Sequence, residues 1–120
     1  MSEHDLRAIT LGYYSSVDAG DGEAVLAWFT EDATYWRPGY PAMTGRNSLA
    51  AFYGGERVIE SGAHSVEEVL VDADRVAVRG IFRGRLKDGS ETVVGFADFL
   101  RYGPAGRVLE RRTYFDAPAD

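Results

Sequence analysis

The hydrophobic period of the chain changes once, near Ser65, and that change limits the possible folds more than any other feature. Upstream, apolar residues recur at helical spacing; downstream they alternate. Val66 to Val71 reads as one strand and Arg75 to Leu86 as a longer one, with Asp72-Ala73-Asp74 as the turn between them. In the longer strand Val76, Val78, Phe82 and Leu86 face one way, and Arg79, Ile81, Arg83 and Arg85 the other. Lys87-Asp88-Gly89-Ser90 is a hairpin signal. A strand from Thr92 to Tyr102 follows, then a turn at Gly103-Pro104-Ala105-Gly106, then a last strand from Arg107 to Asp116. Helices first and hairpin-linked strands after predict an α+β domain. Its three N-terminal helices pack on one face of a curved, mainly antiparallel sheet that encloses an apolar pocket.

The helical part begins at Ser2, an N-cap residue, with Glu3 and Asp5 in the favourable first turn. Leu6, Ile9, Tyr13 and Val17 form one stripe, which turns Tyr13 toward the core. Gly20 is a stop signal and Asp21 the next cap. The second helix is expected to bury Val25, Trp28 and Phe29, and a short strand to run from Ala33 to Trp36. An irregular loop, Arg37 to Gly45, carries two prolines and two glycines. A third helix starts near Asn47, presents Leu49, Phe52 and Tyr53, and ends before Gly62.

The strand Thr92 to Tyr102 is apolar at nearly every position, as in a strand buried on both faces, yet Asp98 sits in its middle. An isolated buried carboxylate is costly, so the residue needs a partner, a hydrogen-bond set or a proton. Arg111 and Arg83 are the simplest ion-pair partners.

Other chemistry is thin. One hundred and twenty residues suit one domain, spanning 1–120. The net charge of −6 speaks against nucleic acid and anionic membranes as partners. No cysteine is present, and the two histidines, His4 and His64, have no metal-ligand spacing. Neither a metal nor an organic cofactor is expected. The polar N-terminus is no signal sequence and no apolar run reaches membrane-spanning length, so the expected location is the cytoplasm.

Several segments together resemble the nuclear-transport-factor-2-like superfamily of cone-shaped α+β domains, in its SnoaL-like and ketosteroid-isomerase-like branches. They are Asp18-Ala19-Gly20-Asp21, Trp28 to Thr34, Gly45-Arg46, Gly106-Arg107-Val108 and Tyr114-Phe115-Asp116. The resemblance covers nearly the whole chain and implies the fold; function varies widely within the superfamily. The isomerase pattern implies that Tyr13 and a protonated Asp98 form an oxyanion hole, an acid kept neutral by an apolar site. The position of that family's proton-shuttling aspartate is Arg37, and an arginine is no ordinary base. The epoxide hydrolase pattern fits less well. Arg75 or a neighbour supplies its arginine, but its carboxylate places are Ala77 and Thr113. SnoaL-type cyclases use one acid in an apolar cone, a task open to Asp98 alone.

These readings lead to an enzyme for isomerisation, cyclisation or proton transfer on a small apolar carbonyl compound. Tyr13 and Asp98 are its candidate catalytic residues; Asp98 itself and His64, otherwise read as a surface residue, are candidates for the missing base. Substrate contacts are expected from Tyr35, Arg37, Tyr40, Met43, Phe52, Phe96, Arg111, Thr113 and Phe115. Arg37 reads either as a solvated loop residue or as a cone-mouth group for a carboxylate or phosphate. The alternatives are a non-catalytic ligand-binding or accessory domain that has lost its base, and a scaffold whose pocket is filled by side chains. A homodimer is expected through the outer face of the sheet, where Arg112 and Tyr114 lie.

Overall fold

The computed structural model describes residues 2–56 and 59–117. Helix α1 runs Glu3–Ala19, α2 Gly22–Leu26 and α3 Arg46–Ala51, the last continuing into a π-helical turn, Phe52–Glu56. The strands are β1 (Phe29–Trp36), β2 (Met43–Thr44), β3 (Ile59–Asp72), β4 (Arg75–Leu86), β5 (Glu91–Tyr102) and β6 (Val108–Phe115). They form one six-stranded, unclosed sheet in the order β2-β1-β6-β5-β4-β3. Only the β1–β6 pair is parallel. This is the expected α+β cone, helices on the concave side of a mainly antiparallel sheet.

The caps act as their residue types dictate. Ser2 and Asp5 close a capping box at the start of α1, and Gly20 ends it in the left-handed conformation at φ 75°. The Asp21 side chain accepts the Ala24 amide. The buried stripe of α1 is Leu6, Thr10, Tyr13, Tyr14 and Val17, with Ile9 only half-buried. It is therefore wider than the expected stripe and carries two adjacent tyrosines inward. Thr10 spends its hydroxyl on the Leu6 carbonyl at 2.7 Å and on the Tyr102 hydroxyl at 2.5 Å.

Four boundaries differ from expectation. Helix α2 stops at Leu26, and Phe29 opens β1, which is longer than Ala33 to Trp36. Helix α3 gives way to the π-helical turn well before Gly62, and Gly62 lies inside β3. Strand β3 begins at Ile59 rather than Val66, because Ser61, Gly62 and Ala63 continue to pair with Arg85, Gly84 and Arg83 of β4. A side chain on Gly62 or Gly84 would run into the Phe82 ring, so this half of the hairpin needs glycine and lacks strand-forming residues. Finally, β5 is not buried on both faces. Val94, Phe96, Asp98, Leu100 and Tyr102 face the core, whereas Val93 and Phe99 are exposed on the outer face.

The core runs along the inner face, from Leu6 and Tyr102 at one end to Phe52 and Phe82 at the other. Among the described residues no helix is long and apolar enough to cross a membrane.

Candidate active site

Strand register assembles the polar centre. Asp98 on β5 lies opposite Thr113 on β6, and Leu100 lies opposite Arg111, so Asp98, Arg111 and Thr113 share the inner face. The parallel β1–β6 pair sets Tyr35 beside Arg111. Helix α1 lowers Tyr13 and Tyr14 onto this group, and the turn after α3 adds Tyr53.

Asp98 is fully buried and saturated. Its Oδ2 accepts Arg111 NH2 at 2.9 Å and the Tyr14 hydroxyl; its Oδ1 accepts the Thr113 hydroxyl. The Thr113 oxygen in turn lies 3.2 Å from the Tyr35 hydroxyl, which donates to it. Arg111 is 4% exposed. Its NH1 donates to the Tyr13 hydroxyl at 2.6 Å and the Tyr53 hydroxyl at 3.2 Å, and its Nε has no partner among the described residues. The Tyr13 and Tyr53 hydroxyls are 3.0 Å apart.

The electrostatics follow from burial. Burial raises the Tyr13 hydroxyl pKa well above its ordinary value, against the pull of Arg111. Burial and then the Asp98 charge do the same for Tyr14. Tyr35 is pushed up to about 12, by burial first, with Arg111 opposing. For Arg111, burial acts against the charge, but Asp98 and the tyrosines outweigh it and hold the guanidinium pKa well above its usual value. The centre is therefore a paired aspartate and arginine held by neutral phenols.

This corrects the expected geometry. Tyr13 does not meet Asp98; its neighbour Tyr14 does, because the stripe of α1 spans both. Of the two readings of Asp98, the contacts match the ion pair: it accepts from Arg111, not from Arg83. Among the described residues, the space bordered by Tyr35, Arg37, Phe52, Tyr53, His64 and Arg111 is an inner cavity of about 30 Å³.

Of the expected contact residues, Tyr35, Arg37, Phe52 and Arg111 border this inner cavity. Phe115 borders a smaller gap of about 10 Å³ that shares Arg37. Tyr40 packs edge-on against Phe52, ring centroids 5.0 Å apart. Thr113 acts through Asp98. Phe96 packs against Tyr14 and His64, and Met43 is a core residue of β2. Arg37 is no solvated loop residue; it is 7% exposed.

The feature that sequence reasoning passed over is on the opposite wall. His64 lies within β3, with its side chain 11% exposed, stacked among Tyr14, Phe82 and Phe96. Asp18, at the end of α1, accepts the His64 backbone N–H at 2.9 Å and meets its ring Nδ1 at 2.6 Å. A carboxylate only accepts, so Nδ1 carries a proton, and in the neutral ring Nε2 carries the free lone pair. No described residue engages Nε2, and His64 borders the same inner cavity as Arg111. The chain's one signal for this pair was an aspartate closing α1 one turn after Tyr14. Among the described residues no three His, Asp or Glu side chains converge as a metal site requires.

The model of the SnoaL-like domain matches residues 11–111. Solved structures share the fold. SalBIII, titled an epoxide hydrolase/cyclase-like enzyme in pyran ring formation of the polyether salinomycin, superposes with a TM-score of 0.85 at 21% identity, over 95% of this chain and 92% of that one. An NTF2-like protein of unknown function from Burkholderia pseudomallei gives 0.84 at 20% identity, over 97% and 92%. A ketosteroid isomerase-like protein from Erwinia carotovora atroseptica gives 0.72 at 26% identity, over 94% and 95%.

Proposed function

The chain belongs to the SnoaL-like family, and we propose that it is a cofactor-independent enzyme that moves a proton on a small, mostly apolar carbonyl compound in its cone. The observation that carries this reading is the Asp18–His64 pair facing the same cavity as Arg111.

His64 Nε2 is the base. It takes a proton from the carbon next to the substrate carbonyl; the C–H electron pair becomes a C=C bond, and the carbonyl π pair moves to oxygen. Asp18 holds the tautomer and stabilises the imidazolium that forms. Arg111 and the Tyr53 hydroxyl are the donors for the developing oxyanion, with Tyr13 behind them. Asp98 is a positioning residue: it fixes Arg111 and does not touch substrate. Return of the proton from imidazolium to a different carbon completes an isomerisation. Attack of the enolate carbon on a second carbonyl, whose π pair moves to its oxygen and takes the imidazolium proton, completes a cyclisation; SalBIII, which shares the fold, is named for another ring closure, that of a pyran. Both are redox-neutral.

The test is proton exchange. A panel of small β,γ-unsaturated ketones is incubated with the protein in D₂O, and loss of α-proton signal and conjugation are followed by NMR and ultraviolet absorbance. The expected result is exchange that falls about 10²- to 10⁴-fold in His64→Gln. Equal exchange in the two proteins would exclude His64 as the base.

The small inner cavity favours a second reading, a scaffold whose pocket is filled by side chains. Absence of both ligand affinity and exchange in the two proteins would support it. We propose for either case that two copies pair through the outer face of the sheet. Leu70, Val93, Phe99 and Tyr114 are exposed there, and a groove of about 520 Å³ runs between Trp36, Phe99 and Arg112. Sedimentation of Phe99→Asp against the native chain tests it; the native chain is expected as a dimer and the variant as a monomer.

A further inference from the structure

Two buried arginines border one cavity in the cone, and among the described residues only one has a counter-charge. Arg111 is bound to Asp98. Arg37 leaves the end of β1 and is just as enclosed, at 7% exposed. Among the described residues its guanidinium makes one hydrogen bond, from NH1 to the carbonyl of the neighbouring Pro38 at 3.2 Å. The guanidinium otherwise lies over the rings of Tyr40, Phe115 and Phe52, at 5.1, 5.1 and 6.0 Å from their centroids. Among the described residues no carboxylate lies within ion-pair distance of it. Ring faces offset part of the loss of water around a buried cation, but a paired anion offsets far more.

Its place in the molecule says where such an anion would lie. Arg37, with Ile59 and Phe82, borders both the inner cavity, shared with His64 and Arg111, and a small neighbouring gap that Leu86, Val94 and Phe115 complete. A group bound at Arg37 therefore lies beside the cavity that His64 faces.

We propose that Arg37 receives a carboxylate of the substrate, so that the substrate is a small apolar carboxylic acid. The planar fork of a guanidinium matches a carboxylate with two parallel hydrogen bonds. The aromatic walls suit an apolar body joined to that group. A phosphate dianion fits less well, since one unpaired guanidinium faces it in a protein of net charge −6. Binding needs the Tyr40–Phe52 ring pair to shift, because the present cavity holds about 30 Å³. The inference rests on the reading of the inner cavity as the substrate site, but it is tested by binding, not by turnover.

The experiment is a titration of ¹⁵N-labelled protein with phenylacetate, phenylacetamide and inorganic phosphate, followed at the Arg37 Nε–H resonance and by calorimetry. Phenylacetate is expected to shift Arg37 and to bind about ten- to a hundredfold more tightly than the amide, the worth of a charge-assisted hydrogen-bonded pair. Arg37→Gln is expected to erase that preference, and Arg37→Lys to restore part of it. Phenylacetate binding is expected to persist in His64→Gln, which separates this inference from the assignment of the base. Equal affinity for acid and amide would overturn the proposal, as would tighter binding of phosphate, an unmoved Arg37 resonance, or no acid binding in the millimolar range.

Discussion

Two carboxylates face the interior of this cone, and they are used in opposite ways. Asp98 is wholly buried, and its two oxygens accept from three side chains on two elements, α1 and β6. Asp18 sits at the rim, about a quarter exposed, and both its oxygens go to one residue, His64. The buried acid, holding three donors and closed off from solvent, serves to place Arg111. The rim acid leaves its partner with a free nitrogen on the cavity. The acid that is most conspicuous in the sequence is thus the less reactive one, because a fully paired carboxylate has already spent its chemistry on the fold.

If that contrast is right, the two acids differ most in what their loss does to stability. Asp98→Asn leaves Arg111 buried without a counter-charge. The expected destabilisation is roughly 3–5 kcal/mol, read from urea midpoints. A near-neutral result would break the contrast, since it would mean that Arg111 finds other compensation.

Alkali is expected to act next most strongly, on the phenols that hold the Asp98 end. Tyr35 carries a folded-state pKa of about 12 against 10.0 in the free side chain, and Tyr13 and Tyr14 are raised as well. Above pH 10 the unfolded chain gives up these protons while the folded chain keeps them. Their contribution is therefore whole below pH 10 and is lost as pH climbs toward 12. Tyr35 alone accounts for about 2–3 kcal/mol of that loss. Urea midpoints at pH 8 and pH 11, with tyrosinate absorbance, check it.

A smaller cost is expected from Tyr14→Phe, which removes one of three donors to Asp98 and leaves Arg111 and Thr113 in place. About 1–2 kcal/mol is expected. This variant also sharpens the reading of α1, where two adjacent tyrosines have different partners.

Much of this molecule was legible because its signals are local. The Ser2 cap, the Gly20 stop, the Lys87 to Ser90 hairpin and the alternation of β4 each need only a few neighbouring residues. The ion pair of Asp98 with Arg111 was legible as one of two choices, since period-two counting sets the face of Asp98 and the family resemblance turns Arg111 toward the cone. Tyr14 was missed because a four-point stripe is narrower than the face that α1 buries. The first half of β3 was missed because its glycines serve the Phe82 ring and not strand propensity. Strand β5 looked doubly buried because Val93 and Phe99 are apolar on the outer face, where we propose that a second copy lies. The Asp18–His64 pair was out of reach for a different reason. It joins the end of a helix to a strand 46 residues later, and no local pattern encodes that meeting.

The same pair supplies the change with the smallest expected cost to the fold, Asp18→Asn. The asparagine keeps the shape of the side chain, and its carbonyl still accepts the His64 backbone N–H now bound to Asp18. Its amide then faces Nδ1 and donates to it, so the ring proton moves to Nε2. The lone pair that serves as base is gone, although nothing has been truncated. Stability is expected to change by less than about 1 kcal/mol, since one hydrogen bond replaces another of similar net worth. Exchange of the ketone α-protons is expected to fall by a factor of about 10² or more, the effect of holding a catalytic imidazole in the wrong tautomer. Nitrogen shifts of the His64 ring report which nitrogen carries the proton. A tautomer switch with unchanged exchange would remove His64 from the chemistry and leave the rim acid as structural as Asp98.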